Sequence, residues 1–282
     1  MSNQPLIGAH MSTSKGLPAM VQTTVDIGAT CAQIFTSSPQ QWRAKQYTDV
    51  EAQAFKEKWA ESGLGPIVAH DSYLINLAST DAEILAKSRR AFREEIARCG
   101  QLGLPKIVTH LGAYKGGTLE SGLDCLAASL NELLPFAIEQ GVQIVLETTA
   151  GQGTYLGGIF DQFPDIFSRV PEQQQLGVCL DLCHVFVAGY ELRDADSYAK
   201  LWSDFAAVIG IDRLAVIHVN DTDRALASHS DRHAAIGKGI LGLEVFRLLM
   251  QDPRMIHIPK ILETPLDDAG HGEEVALLKE LV

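Results

Sequence analysis

The sequence has no C-x-x-C pair, and its five cysteines (Cys31, Cys99, Cys125, Cys179 and Cys183) are odd in number and scattered. That excludes a disulfide framework and a zinc ribbon, and a reducing cytoplasm fits best. No apolar run approaches the roughly 18 residues of a membrane span. Met1 to Pro5 has neither the basic nor the apolar region of a signal peptide, so no membrane partner and a cytoplasmic location are expected. No G-x-G-x-x-G follows the first strand, so a nucleotide cofactor has no support. No linker rich in Pro, Gly or Ser and no charge block divides the chain, and one domain over residues 1–282 is the simplest reading. Basic residues are in deficit: 23 Lys and Arg against 35 Asp and Glu leave a net charge of −12. Taken alone, that deficit argues against a polyanionic partner, because nucleic-acid binding is driven largely by phosphate neutralisation.

What is present is a repeated strand, loop and helix. The 282 residues are 46% hydrophobic and 21% charged, close to the ~250 residues of one α/β barrel. Short apolar, β-branched strands are predicted at 6–9, 31–36, 66–69, 106–109, 143–146, 176–180, 214–217 and 260–262. Helices are predicted near 16–27, from Asp49 as cap to Glu61, and at 81–99, 119–139, 160–169, 194–209, 241–250 and 273–281. Such alternation means α/β, and eight units in this length favour a closed (β/α)8 barrel over an open sheet.

Six consecutive strands stop on a His, Asp or Glu: His70, His110, Glu147, Asp181, His218 and Glu263. His184 follows Asp181 by three residues, and the loop after His218 adds Asp231 and His233. Each alone reads as a hydrogen-bonded structural residue. In a barrel, however, the strand ends converge on the face that carries the active site. Four carboxylates packed there without cations would repel and raise each other's pKa. Five imidazoles and four carboxylates with no thiolate suit Zn2+, and also Mn2+ or Fe2+. Nine ligands are too many for one metal and fit three, with one carboxylate bridging. Three divalent ions bring about +6, moving the chain from −12 to about −6 and leaving the site itself positive. Loop cations Lys15, Arg43, Lys45, Lys115, Arg224, Arg232 and Lys238 would add to a positive mouth.

Over nearly its whole length the chain resembles endonuclease IV, the metal-dependent apurinic/apyrimidinic endonuclease family. The resemblance rests on His70-Asp71-Ser72-Tyr73-Leu74-Ile75-Asn76-Leu77, on Leu146-Glu147-Thr148-Thr149-Ala150-Gly151-Gln152-Gly153, and on Gly177-Val178-Cys179-Leu180-Asp181 with Cys183-His184. It rests equally on His218-Val219-Asn220-Asp221, Asp231-Arg232-His233 and Ile236-Gly237-Lys238-Gly239. The resemblance implies a trinuclear zinc site, with His70, His110 and bridging Glu147 on one metal. Glu147, Asp181, His218 and Glu263 would hold the second, and His184, Asp231 and His233 the third. It implies metal-bound hydroxide attacking the phosphodiester 5′ to an abasic site in duplex DNA, leaving a 3′-hydroxyl and a 5′-deoxyribose phosphate, and trimming of blocked 3′ ends. Glu147, Glu263 and Asp181 would carry the catalytic work. Tyr73 and Leu74 resemble a wedge beside the extruded site, Gln40, Gln41 and Trp42 a second DNA-contacting loop, and Arg232 a further contact. A monomer, associated with the nucleoid in a prokaryotic source, is expected.

Three positions depart from the family pattern. Gln40 stands where a basic residue is common, Leu182 where a small hydroxyl residue is usual, and Asp223 where a Lys is usual, with Arg224 next to it as a substitute. They imply weaker DNA affinity with the chemistry intact. His10 is expected to end the first strand and orient a ligand, and His229, His257 and His271 to lie on the surface. Cys179 and Cys183 read as packing residues. Two other readings remain. A xylose isomerase-like sugar isomerase or epimerase with one or two metals gives no purpose to His184, Asp231 and His233. A DNA-binding barrel with structural zinc expects four-coordinate, thiolate-rich sites.

Overall fold

The computed structural model describes residues 4–282, so the leader expectation for Met1 to Pro5 falls partly outside the described residues. Eight parallel strands close into a barrel in sequence order: β1 (Ile7–Met11), β2 (Cys31–Phe35), β3 (Ile67–His70), β4 (Lys106–His110), β5 (Gln143–Glu147), β6 (Gly177–Asp181), β7 (Leu214–His218) and β8 (Lys260–Leu262). The helices are α1 (Leu17–Asp26), α2 (Asp49–Ser62), α3 (Ala82–Leu102), α4 (Leu119–Glu139), α5 (Gln162–Ser168), α6 (Leu182–Ala188), α7 (Ala195–Val208), α8 (Leu243–Gln251) and α9 (Asp268–Glu280). The strands form because β-branched and aliphatic residues suit a sheet buried on both faces.

Four features differ from the sequence reading. His10 lies inside β1, which runs on to Met11 rather than ending at Ala9. The cap of α2 is Thr48, which forms a capping box with Glu51, and Asp49 is already helical. Helix α6 has no counterpart in the sequence reading, because six apolar, partly β-branched residues around His184 show no helical stripe when nearly every side is buried. Helix α9 starts five residues early, at Asp268, where the Asp267 side chain accepts from the Gly270 amide. His271 is therefore in the helix and buried, not on the surface; His229 and His257 are exposed as expected.

The strands' two-residue period sorts the interior into layers. Cys31, Val68, Val108, Val145, Cys179, Val216 and Ile261 pack together as the small core inside the barrel, apart from the larger core between barrel and helices. In β1 the matching position is Gly8, where a Cβ would strike the Cys31 carbonyl of β2. Two residues further along each strand comes the next layer: His10, Gln33, His70, His110, Glu147, Asp181, His218 and Glu263. Parallel register keeps this layer level, with His110 opposite Glu147 and Asp181 opposite His218.

Candidate metal centre

Among the described residues, the nine predicted side chains come together at the C-terminal rim in three sets, the first two sharing Glu147: His70, His110 and Glu147; Glu147, Asp181, His218 and Glu263; His184, Asp231 and His233. Within each set the donor atoms lie within 4.8 Å of one another. Glu147 is buried and faces two ways. Its Oε2 is 3.1 Å from both His70 Nε2 and His110 Nε2, and its Oε1 is 2.8 Å from His218 Nδ1. A carboxylate so placed can serve two neighbouring cations.

The rings are held with one nitrogen turned outward to a fixed acceptor. His70 Nδ1 donates to the Asp71 carbonyl at 3.0 Å, His184 Nδ1 to the Thr148 carbonyl at 2.8 Å, and His233 Nδ1 to the Glu263 carbonyl at 3.2 Å. His218 is reversed: its Nε2 donates to Gln33 Oε1 at 2.9 Å, leaving Nδ1 toward the carboxylates. In all four the outer bond takes one nitrogen, so that when the ring is neutral, as a metal ligand must be, the lone pair falls on the inward one, the arrangement that outer partners impose on metal-binding imidazoles. His184 Nε2 and His233 Nε2 are buried with no hydrogen-bond partner, 3.2 and 3.4 Å from the Asp231 oxygens.

Burial opposes charge on these groups, and their proximity overrides it. Against burial, hydrogen bonding and charge from Glu147 push the His70 imidazole up to about 10. Asp231, against burial, is held down to about 2 by His184. Glu147 and Glu263 are both held well below the usual carboxylate range, against burial, chiefly by His218. Without cations, the rim neutralises its carboxylates with protonated imidazoles. Cys179 and Cys183 lie close enough to join alternative sets. Burial nonetheless raises both thiols, Cys183 to about 12, so they are poor sources of thiolate and pack as expected.

Several site residues carried no predicted role. Gln33 donates to Glu263 Oε1 at 2.7 Å while accepting from His218. Asn220 Nδ2 donates to Asp181 Oδ2 at 2.7 Å, and its oxygen accepts from the Glu263 amide. Asp221 accepts from the amides of Thr222, Gly237, Gly239 and Leu241, folding the β7–α8 loop that carries Asp231 and His233. The available signal was an amide inside the apolar strand β2 and an Asn-Asp pair two residues past His218. His10 Nδ1 lies 3.2 Å from Glu263 Oε1, in keeping with its expected orienting role.

Two clefts meet over the rim. One of about 510 Å3 includes His70, His184, Asp231, Arg232, His233 and Glu263 in its lining; one of about 460 Å3 runs from His70, His110 and His184 to Trp42, Leu74 and Lys115. Tyr73 stands between them, 66% exposed, with its ring edge against Phe35. Gln40, Gln41 and Arg232 are exposed, and Leu74 is half-buried. Two of the loop cations are partnered: Lys45 with Glu51 at 2.8 Å, and Arg224 with Asp223 at 3.1 Å. Arg224 is thus engaged by the very residue whose charge it was expected to offset.

The family described as xylose isomerase-like TIM barrel matches residues 21–281. The chain is 42% identical over 280 residues to a protein of Chloroflexus aggregans named probable endonuclease 4, covering 99% of this chain and 98% of that one. Among solved structures, endonuclease IV from Thermus thermophilus superposes with a TM-score of 0.84 at 28% identity, covering 98% of each chain. The 3-keto-D-glucoside 4-epimerase of E. coli matches with a TM-score of 0.71 at 15% identity over 98% of this chain and 100% of its own, a likeness of fold alone.

Proposed function

The chain belongs to the endonuclease 4 family of xylose isomerase-like TIM barrels, and from that premise we propose that it hydrolyses the phosphodiester 5′ to abasic sites in duplex DNA. The products would be a 3′-hydroxyl and a 5′-deoxyribose phosphate, and blocked 3′ ends would be trimmed by the same chemistry. The observation that carries this reading is the third set. His184 Nε2 and His233 Nε2 are buried, unpartnered and directed with Asp231 to one point beside the other six ligands. A sugar isomerase with one or two metals leaves that set without a task.

The donor chemistry fits zinc, and would also accept Mn2+ or Fe2+ at one site: imidazole and carboxylate, no available thiolate, and tautomers fixed by outer acceptors. Three cations held by His70, His110 and Glu147, by Glu147, Asp181, His218 and Glu263, and by His184, Asp231 and His233 would supply positive charge against the phosphodiester and bring a water's pKa toward ~7. The chain's own side chains bind and orient. Glu147 is occupied on both oxygens, so its part is to fix spacing, not to serve as a free base. Asp181 and Glu263 are aligned by Asn220 and Gln33. Phe35, Pro265 and Leu266 add apolar surface to the cleft lining. Arg232, exposed at the cleft, offers a guanidinium to a phosphate.

Lesion choice would come from the loops. An abasic nucleotide lacks pairing and stacking and is cheap to extrude, and Tyr73 with Leu74 is placed to wedge into the space it leaves. Gln40, Gln41 and Trp42 would touch the duplex alongside. The partner is duplex DNA and the working unit a monomer.

The test is a duplex with a single tetrahydrofuran abasic analogue. The purified chain should nick it on the 5′ side only, metal analysis should find close to three ions per chain, and Tyr73→Ala should raise KM about tenfold with kcat nearly unchanged. Failure to nick the abasic strand, with an undamaged control equally untouched, overturns the reading.

A further inference from the structure

The third set differs from the other two in that none of its ligands ends a strand: His184 is on α6, and Asp231 and His233 are in the β7–α8 loop. Something must hold that loop against α6. The segment just before Asp231 carries the two non-glycine residues with positive φ among the described residues, Ala227 at 57° and His229 at 51°. Histidine is one of the residue types enriched in the left-handed region, whereas alanine is not. The backbone there is turned so that its amides face α6. His229 N donates to the Val187 carbonyl at 2.9 Å, which the short helix α6 leaves open at its C-terminus, and Ala227 N adds a longer bond at 3.4 Å to the Phe186 carbonyl, which already accepts from the Gly189 amide at 3.0 Å.

The His229 ring completes the attachment. Its Nδ1 donates to the Ala150 carbonyl at 2.8 Å. Two residues earlier on the same segment, the Thr148 carbonyl accepts from His184 Nδ1 at 2.8 Å. Thr148 and Ala150 follow directly from Glu147. One stretch of backbone therefore fixes the ligand His184 and the residue that leads into Asp231. Gly151, at φ 68°, makes room: a Cβ there would sit 3.2 Å from His229 Nδ1.

We infer that His229 is a positioning residue, the clasp that holds Asp231 and His233 in register with His184, and that it sets how firmly this set retains its cation. The inference rests on the reading of His184, Asp231 and His233 as a metal set. The Asp231 side chain, 41% exposed, is the most exposed of the nine, so its position depends on how the loop is held.

The test uses the zinc-loaded chain. Zinc per chain is measured, and zinc release is followed with a chromogenic chelator. The wild type should carry close to three zinc ions and release one faster than the other two. His229→Ala should speed release of that one ion about tenfold, the scale of lost outer-partner hydrogen bonds, and leave the slow pair unchanged. His229→Asn, which accepts the left-handed backbone and whose amide nitrogen stands in for Nδ1, should restore near-wild-type release. His229→Gly, free of backbone strain but without the ring donor, should release like His229→Ala and serves in its place if that variant does not fold. Unchanged release in both His229→Ala and His229→Gly, equal acceleration of all zinc, or a folded His229→Asn that behaves like His229→Ala overturns the clasp. A wild type that never binds a third zinc overturns the metal-set reading itself, and the clasp with it.

Discussion

The six strand-end donors and the three carried by α6 and the β7–α8 loop offer the same donor chemistry and are held in different ways. His70, His110, Glu147, Asp181, His218 and Glu263 are levelled by parallel register and by a two-residue offset from the inner core, so barrel closure brings them together and Asn220 and Gln33 then orient Asp181 and Glu263. His184, Asp231 and His233 have no ladder to align them. They depend on the Asp181 cap of α6, on Asp221 binding four loop amides, and on the His229 attachment. Strand-borne ligands gain precision from the sheet. Loop-borne ligands must be aligned by side-chain hydrogen bonds, which makes them the separable part of the site.

Substitution should separate the two groups most sharply at Glu147 and Asp231. Glu147→Gln should lower kcat/KM on the order of 10³-fold or more and reduce zinc in both inner sets, because each of its oxygens faces a different set. Asp231→Asn should remove one zinc per chain and leave two. Equal zinc loss in both variants, measured by metal analysis of gel-filtered protein, would erase the distinction.

Asn220→Ala is the next step down. It breaks the hydrogen bonds to Asp181 and to the Glu263 amide, and metal affinity should fall about 10–100-fold. The loss should be confined to the inner cations, as read by competition with a chelator of known affinity.

A smaller effect is expected at the rim, away from both groups. Asp223→Lys frees Arg224 and adds a cation, so the slope of log K for abasic duplex against log salt should steepen by about 1. An unchanged slope means that the charge at this position does not reach the DNA.

The least visible difference lies in the metal-free protein. His70, raised from 6.5 to about 10, adds stability that is complete below pH 6.5 and lost as pH rises through 10. Asp231, lowered from 3.8 to about 2, adds stability present above pH 3.8 and lost as pH falls through 2. The urea midpoint of the chelator-stripped chain should therefore fall between pH 7 and 10. That of the zinc-loaded chain should fall less, because the cation replaces the proton. Parallel curves would show that the strand-borne histidines are not coupled to Glu147.

The eight strands and the six ligands at their ends were legible because a short β-branched run is a local signal and a His, Asp or Glu that stops it is visible at once. Gln33 was not legible, because an amide inside an apolar strand carries no metal-ligand signal; like His10, which was expected to orient a ligand, it occupies the same layer as the six. Helix α6 escaped because total burial erases amphipathic periodicity, and His271 was placed at the surface because the Asp267 cap of α9 was missed.

By itself, the order of apolar runs and polar stops determined an eight-fold α/β repeat and the chemistry of the donor set, since both follow from residue type and spacing along the chain. Only the tertiary structure decided which nitrogen of each imidazole faces inward, that Glu147 reaches two sets with its two oxygens, and that His229 ties a distant loop to α6. Apart from His70, which is turned by the neighbouring Asp71 carbonyl, those outcomes depend on partners far along the chain, brought into contact only when the barrel closes.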